Sequence, residues 1–246
     1  MKIKLCLSYD GTKYSGWQVQ KNAITVQQVL QDSIESVFGK RYSVCGCSRT
    51  DSGVHANFYC CTVDTEDFVV SIPENKIPIV LNRYLPDDVS VFAAEFVNDE
   101  FHPRYDVVYK EYEYLILNSE IKNPFYSNRA YQYPKTLDVE KMNKAAQSFV
   151  GKHDFSGFMS SGSDVVDTVR TIKYFEVERC GDFVKIRVAA DGFLYNMVRI
   201  LVGTLIEVSE GRVDIDSIPE IIESKDRKRT GFTAPACGLY LNKVVY

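Results

Sequence analysis

The pattern of apolar and polar positions in the first half of the chain predicts a strand, a helix, two strands, a short helix and a strand. Polar and apolar residues alternate from Lys2 to Tyr9, as in a half-buried strand. An apolar stripe at helical spacing predicts a helix from Thr25 to Phe38, capped by Thr25 and stopped by Gly39. The remaining elements are expected as strands near 42–48 and 54–64, a helix at 74–84 and a strand from Val89 to Phe96.

The second half of the chain repeats this order. Alternation predicts a strand from Tyr109 to Leu117, and a helix is expected from Asp138 to Val150, stopped by Gly151. The half is completed by a hairpin of Thr171–Arg179 and Phe183–Ala190, a helix from Phe193 to Val208 and a strand from Leu239 to Val245. This order predicts an α+β fold of two halves, 1–105 and 106–246, with the helices on one face of an antiparallel sheet.

The composition is that of an ordinary soluble globular protein. The 246 residues are 45% hydrophobic and 25% charged, and they allow one large core or two medium domains. No apolar segment approaches the length that spans a membrane, and the N-terminus lacks the apolar core of a signal peptide. We therefore expect a cytoplasmic protein that does not enter a membrane.

The cysteines do not indicate a metal site. There are seven, so at least one is unpaired. The C-x-C pair Cys45 and Cys47 and the adjacent Cys60 and Cys61 lack the ligand spacing of structural zinc sites. We expect buried, reduced thiols and no bound metal.

The net charge does not favour a nonspecific nucleic-acid binder. It is −4 at pH 7, whereas cationic contacts to phosphates normally supply much of the affinity for nucleic acids. A local basic face remains compatible with this net charge. The densest basic cluster is Lys225-Asp226-Arg227-Lys228-Arg229, a pattern that is more often a solvated loop.

A short turn around Asp51 carries the strongest candidate chemistry. Thr50 and Ser52 flank Asp51 with turn-forming hydroxyls, and Gly53 permits backbone conformations that other residues avoid. Arg49 favours the ionised carboxylate, which can then act as a nucleophile or a base. The alternative is an Arg–Asp pair that only caps a tight turn.

Four separated motifs of the chain resemble motifs of the tRNA pseudouridine synthase A family, and they occur in the same order as in that family. Arg49 to Ala56 matches its active-site motif Arg-Thr-Asp-x-Gly-Val-His-Ala, with Ser48 where the family usually has glycine. The other matches are the loop from Tyr9 to Gln18, the helix string Asp191 to Gly203 and the ending Ala234 to Leu241. The resemblance therefore covers the full chain.

The loop from Tyr9 to Gln18 and the turn around Asp51 also contain residues with expected structural roles. The loop has the glycine spacing of a phosphate loop, but Trp17 and Gln18 replace the Lys and Ser/Thr that such a loop requires. We expect Trp17 to pack in the core. We expect His55 to lock the turn by a hydrogen bond rather than to act as an acid or base.

The resemblance implies a fold and a reaction. The fold is the pseudouridine synthase fold, in which two ferredoxin-like β-α-β-β-α-β halves join in a continuous antiparallel or mixed sheet around a cleft. The reaction isomerises uridine to pseudouridine in the tRNA anticodon arm, at tRNA positions 38, 39 and 40. It uses no metal, redox carrier or nucleotide cofactor, and the family acts on tRNA as a homodimer.

The resemblance also implies roles for individual residues. Asp51 is the expected nucleophile or base, and Arg199 is its expected ionic partner, since a guanidinium in an apolar helix needs a carboxylate. Tyr112 is expected over the target uracil, where it can stack and transfer a proton, with Leu239 on the opposite face. Each of the last three residues also has a purely structural interpretation. Arg199 is then a helix arginine that reaches solvent, Tyr112 part of an aromatic ladder with Tyr114, and Leu239 a buried strand leucine.

Three further residues are expected at the RNA. Arg49 is the candidate that flips or positions the target base, because an arginine can fill the space that the base leaves. Arg104 is a candidate phosphate or base contact, and His102 is a candidate RNA contact.

Two other functions fit parts of the sequence. A catalytically inactive RNA-binding paralogue would keep the α+β halves as a platform for bases. An aspartate-based hydrolase of a small substrate would work without RNA, and tRNA would not change its thermal stability.

Overall fold

The computed structural model describes residues 2–65, 71–163 and 165–246 as an α+β protein. Its strands are β1 Lys2–Tyr9, β2 Ser43–Gly46, β3 His55–Asp64, β4 Val89–Val97, β5 Tyr109–Leu117, β6 Tyr131–Gln132, β7 Gly151–Asp154, β8 Val169–Cys180, β9 Phe183–Ala190 and β10 Leu239–Val245. Its α-helices are α1 Val26–Phe38, α2 Ile77–Leu81, α3 Val139–Gln147, α4 Met197–Ser209 and α5 Ile218–Ser224. The chain forms two compact units, Met1–Val108 with Tyr240–Tyr246, and Tyr109–Leu239.

The first unit is built on the sheet β4-β1-β3-β10, with β2 paired to β3. β1 is antiparallel to both of its neighbours, whereas β10 runs parallel to β3 and sets Tyr240 opposite His55. Alternate residues of β1 are fully buried, as the sequence pattern predicts. Thr25 caps α1 by accepting from the Gln28 N–H, and Gly39 ends it in the left-handed conformation at φ 72°.

The second unit is built on the sheet β5-β9-β8-β7, with β6 paired to β5. α3 is fastened to β8 by two side chains that bond main-chain groups of the strand. The Gln147 amide donates to the Phe175 carbonyl at 2.8 Å, and Asn143 Oδ1 accepts from the Val177 N–H at 2.9 Å. α4 is buried along most of its length, because apolar residues cover nearly all of its faces.

The expected α+β class and most elements are confirmed, and three helix predictions are wrong in their bounds. The helix expected from Phe193 begins at Met197, because Asn196 has φ 60° and a left-handed residue cannot continue a right-handed helix. Gly151 does not stop α3, which ends at Gln147 with Ser148 as its C-cap; Gly151 instead opens β7. The helix expected over 74–84 is a 3₁₀ turn followed by the five residues of α2.

Among the described residues, no helix has the length and apolar character that a membrane crossing needs.

Gly203 lets the segment after α5 lie directly on α4. A Cβ at this position would stand 1.8 Å from the Phe232 carbonyl oxygen, so alanine forces the two backbones apart. We expect Gly203→Ala to lower the free energy of unfolding by about 3 kcal/mol, measured by chemical denaturation.

Gly162→Ala is the matched control, because Gly162 has φ 89° and open space around its Cβ position. Its expected loss is about 1 kcal/mol, from the left-handed backbone alone. Equal losses in the two variants would contradict the proposed backbone clash.

Candidate active site

The turn that carries Asp51 joins β2 to β3 in the first unit. Gly53 adopts φ 77°, and the Val54 N–H donates to the Asp51 carbonyl at 3.2 Å, which closes the turn. The Thr50 hydroxyl is buried against the Tyr9 hydroxyl at 2.8 Å. Asp51 is half-buried and Arg49 is exposed, so the turn presents a carboxylate and a cation from one short segment.

The loop after β1 clamps this turn through its main chain. The Trp17 N–H donates to the Thr50 carbonyl at 3.1 Å, and the Gly53 N–H donates to the Tyr14 carbonyl at 3.3 Å. Gly16 makes this approach possible, because it has φ 84° and a Cβ there would lie 2.5 Å from the Thr50 carbonyl oxygen. The main chain at Asp51 is therefore fixed by neighbours on the loop as well as by its own turn.

His55 joins the strand that follows the turn to the loop after β1. It is buried, and its Nδ1 accepts from the Gly11 N–H at 3.0 Å while its ring stacks on Tyr240 at 4.6 Å. Nδ1 can accept this hydrogen bond only when it carries no proton, so the neutral ring makes the contact. Asp10 Oδ1 lies 3.2 Å from the same Nδ1 and becomes its ionic partner only when that nitrogen is protonated.

Trp17 packs in the core, as predicted, and it stabilises the segment that leads into the turn. Its ring is 3% exposed and stacks on Tyr59 with centroids 4.0 Å apart. The Tyr59 hydroxyl donates to the Ser48 carbonyl and accepts from the Ser48 N–H at 3.4 Å. Positive φ among the described non-glycine residues is confined to Asn128, Asn196 and Lys225, so the backbone at Ser48 does not require a glycine.

The second unit holds Arg199 in the first turn of α4. Its Nε donates to the Ala234 carbonyl at 2.6 Å, and its Nη1 donates to Asn196 Oδ1 at 2.7 Å. The Asn196 amide in turn donates to Ser160 Oγ at 3.0 Å. The guanidinium is thus oriented by two acceptors, one of which is itself anchored. Neither Asn196 nor the Ala234 carbonyl was predicted as a support.

Tyr112 and Leu239 are both buried in the second unit. Tyr112 is 6% exposed and meets Phe193 edge to face, with centroids 5.1 Å apart. Burial raises the pKa of Tyr114, which therefore stays protonated and donates to the Pro235 carbonyl at 2.7 Å. This bond fixes the segment that ends at Leu239, which is 5% exposed.

The first unit also contains a pocket of about 270 Å³ beside the turn. Three residues predicted at the RNA, Arg49, His102 and Arg104, line it together, and Tyr105 lies next to them. Tyr105 was not predicted as a site residue, although the aromatic and basic character of 101–105 was a signal. The structure therefore gathers these three predicted residues in one place.

Part of the basic cluster at 225–229 is occupied by contacts within the protein. Lys225 pairs with Asp154 at 2.7 Å, and Arg229 lies 3.7 Å from Glu220. Arg227 donates to the Gly231 carbonyl and to the hydroxyls of Thr230 and Thr233. These contacts give the cluster a structural role in joining α5 to the following segment.

The Lys225–Asp154 pair is expected to stabilise the protein at neutral pH and to lose this effect in acid. Lys225 and the Thr168 hydroxyl hold the pKa of Asp154 well below its usual range. A lowered folded pKa stabilises the protein above about pH 4 and loses that contribution as pH falls toward the folded value. We expect Asp154→Asn to lower the free energy of unfolding at pH 7 by about 1 kcal/mol after solvent screening.

Denaturation of both proteins between pH 7 and pH 2 checks this expectation. The difference in the free energy of unfolding between the wild type and Asp154→Asn should shrink steadily below about pH 4, because the carboxylate of the unfolded chain then takes up its proton. A difference that is constant over the whole range would assign the effect to packing instead.

Comparison with known proteins assigns the chain to a family. A family model described as tRNA pseudouridine synthase matches residues 5–106 and 145–246, which include Asp51 and Arg199. The chain belongs to the tRNA pseudouridine synthase family. The expected enzyme class, an isomerase that converts uridine to pseudouridine, is confirmed with the family.

Full-length relatives agree with this family assignment. The tRNA pseudouridine synthase A of Acetivibrio thermocellus is 48% identical over 246 residues, and that of Thermoanaerobacter pseudethanolicus is 46% identical over 244. The tRNA pseudouridine synthase A of Clostridium acetobutylicum is 45% identical over 244 residues. Each of the three alignments covers 99% of both chains.

Proposed function

We propose that the protein isomerises uridines of the tRNA anticodon arm, at tRNA positions 38, 39 and 40, with Asp51 as the reacting carboxylate. The observation that carries the proposal is the Asp51 turn, whose main chain is fixed by hydrogen bonds to Trp17 and Tyr14 of the loop after β1. A fixed main chain with a half-buried carboxylate suits a group that must meet a reacting atom in one orientation. The relatives named above, all tRNA pseudouridine synthases, support tRNA as the substrate.

The reaction exchanges two bonds of one uridine. The bond from ribose C1′ to uracil N1 breaks, and a bond from C1′ to C5 forms. C5 then loses its proton and N1 gains one, so no atom is added or removed overall. A carboxylate can serve this exchange by attacking C1′, by attacking the uracil ring or by removing a sugar proton. All three routes need Asp51 ionised.

The family resemblance supports the remaining roles in the proposal. Arg199 would keep Asp51 ionised and oriented, since a guanidinium binds both oxygens of a carboxylate. Tyr112 and Leu239 would hold the uracil between them. Arg49 would fill the gap left when the base leaves its stack. The N-terminal half would thus supply the carboxylate and the C-terminal half the uracil site.

A homodimer in the cytoplasm completes the proposal. The net charge of −4 disfavours tRNA binding by a single copy, and two copies would add their basic surfaces along one tRNA. Light scattering of the purified protein, with and without tRNA, measures the copy number. A monomer in both conditions would contradict the dimer without affecting the proposed reaction.

The proposed substrate is tested by mapping pseudouridine at single-nucleotide resolution in an unmodified tRNA. The tRNA carries uridine at positions 38, 39 and 40, and a second tRNA carries cytidine there as the control. We expect pseudouridine at those positions in the first tRNA and none elsewhere in either. Pseudouridine only outside the anticodon arm would contradict the proposed position, and bound but unmodified tRNA would indicate the inactive paralogue.

A further inference from the structure

The pocket beside the Asp51 turn has the lining of a nucleotide site, although Asp51 is not part of it. It has a volume of about 270 Å³, slightly below the roughly 300–1,000 Å³ of small-molecule sites. Its walls come from the loop after β1, from α1, from β2 with the following Ser48 and Arg49, and from the turn at 102–105, all within the first unit. A pocket of this size suits one base or one ribose phosphate.

Tyr105 presents an aromatic ring to solvent at this pocket. It is 75% exposed, yet its position is defined by neighbours on its own turn. The His102 ring lies against it with centroids 4.3 Å apart, and the Arg104 guanidinium carbon lies 5.9 Å from its centroid. An exposed aromatic ring beside a guanidinium is the arrangement on which bases of single-stranded nucleic acids stack.

The turn that carries Tyr105 is held in one conformation. His102 Nδ1 accepts from the N–H groups of Arg104 and Tyr105, at 3.1 and 3.2 Å. The His102 N–H donates to Asp106 Oδ2 at 2.9 Å, and the Asp106 N–H donates back to the His102 carbonyl at 3.1 Å. Because Nδ1 accepts, the ring proton sits on Nε2, which faces Cys45 Sγ at 3.8 Å.

The same turn is fastened to the sheet of the first unit. Phe101 packs on Tyr246 with centroids 5.1 Å apart, and the Tyr246 hydroxyl donates to the Pro103 carbonyl at 2.8 Å. Lys4 of β1 lies over the rings of both Phe101 and Tyr246. A ligand that stacks on Tyr105 would therefore order little of the protein, which favours affinity.

Two exposed guanidinium groups complete the pocket. Arg49 and Arg104 both line it, and both side chains are exposed to solvent. Arginine binds phosphate oxygens through paired hydrogen bonds, so Arg104 suits a nucleotide phosphate beside Arg49, the proposed base-flipping residue. Arg49 is two residues from Asp51, at most about 7 Å of extended chain, which places the pocket close to the reacting carboxylate.

We propose that this pocket binds a second nucleotide of the tRNA substrate, a near neighbour of the isomerised uridine in the strand. Its base stacks on Tyr105, and its phosphate is held by Arg104, while Arg49 keeps its proposed role at the target base. This inference rests on the proposed function, because it needs tRNA as the substrate. It goes further because it gives the first unit a specific contact with the RNA next to the target uridine.

The salt dependence of tRNA binding separates stacking from phosphate contacts. Binding of an unmodified tRNA transcript is measured at several KCl concentrations for Tyr105→Ala, Tyr105→Phe and Arg104→Gln. We expect Tyr105→Ala to weaken binding about tenfold with an unchanged salt slope, and Tyr105→Phe to bind nearly as wild type, since phenylalanine still stacks. We expect Arg104→Gln to weaken binding and to reduce the salt slope by about 0.7–0.9, the value of one phosphate contact.

The chain offers a matched control in the adjacent pair Arg83 and Tyr84. Both are exposed, they lie in the same unit, and neither lines the pocket. We expect Arg83→Gln and Tyr84→Ala to bind tRNA like the wild type. If the wild type binds and modifies tRNA but Tyr105→Ala and Arg104→Gln bind it as well as the two control variants do, the inference is overturned and the proposed function stands. If the wild type neither binds nor modifies tRNA, both are wrong.

Discussion

Asp51→Asn is expected to slow pseudouridine formation by about 10⁴-fold or more, because an amide can neither attack carbon nor accept the proton that a carboxylate accepts. Asparagine has the same shape, and the bonds that close the turn involve main-chain atoms of Asp51, Thr50 and Gly53. The variant should therefore fold and bind tRNA with an affinity within about threefold of the wild type. Release of tritium from tRNA labelled at uridine C5 measures the rate.

Asp87→Asn is the matched control for this experiment. Asp87 is an exposed aspartate of the same unit, in the loop before β4. Its variant should release tritium at the wild-type rate. An Asp51→Asn rate within tenfold of the wild type would remove Asp51 from the chemistry and leave it as a residue that shapes the turn.

Arg199→Met is expected to reduce the rate of pseudouridine formation by about 10²–10³-fold. Methionine keeps the apolar part of the side chain but loses the charge and both hydrogen bonds, to Ala234 and to Asn196. Without its proposed ionic partner, Asp51 would be less readily ionised and less well oriented. Single-turnover rates at saturating tRNA measure the effect, and thermal denaturation of each variant measures whether the fold is kept.

Arg199→Lys distinguishes charge from orientation. Lysine keeps the positive charge, but an ammonium cannot reproduce the planar guanidinium that Ala234 and Asn196 hold. We expect an intermediate rate, with Arg229→Met of the same unit as the exposed control at the wild-type rate. A near-normal rate in Arg199→Met would rule out the proposed role of Arg199.

Local patterns predicted most of the fold because short-range rules determine those elements. The cap at Thr25, the left-handed Gly39 and the alternation of β1 all depend on neighbouring residues, and all are confirmed. The start of α4 was placed four residues early, because Asn196 is left-handed and its side chain bonds Ser160 and Arg199 instead of continuing a helix. Apolar periodicity contains no information about such bonds.

The candidate site could be predicted only in part from the sequence. The turn at Asp51 was predictable, because Thr50, Ser52 and Gly53 are turn residues. The pocket was not, because it forms only when the fold brings the turn at 102–105 next to the end of β2. Tyr105 therefore lacked any sequence signal stronger than its basic and aromatic neighbours.

The most direct test of Asp51 as the reacting group is a side-by-side map of pseudouridine in one unmodified tRNA. The tRNA carries uridine at positions 38, 39 and 40 and is incubated with equal, saturating amounts of wild-type protein or Asp51→Asn. The expected result is pseudouridine at those positions with the wild type and none with the variant, although both proteins bind the tRNA. Pseudouridine at equal levels with both proteins would contradict the proposed role of Asp51, and its absence with both would contradict the proposed reaction itself.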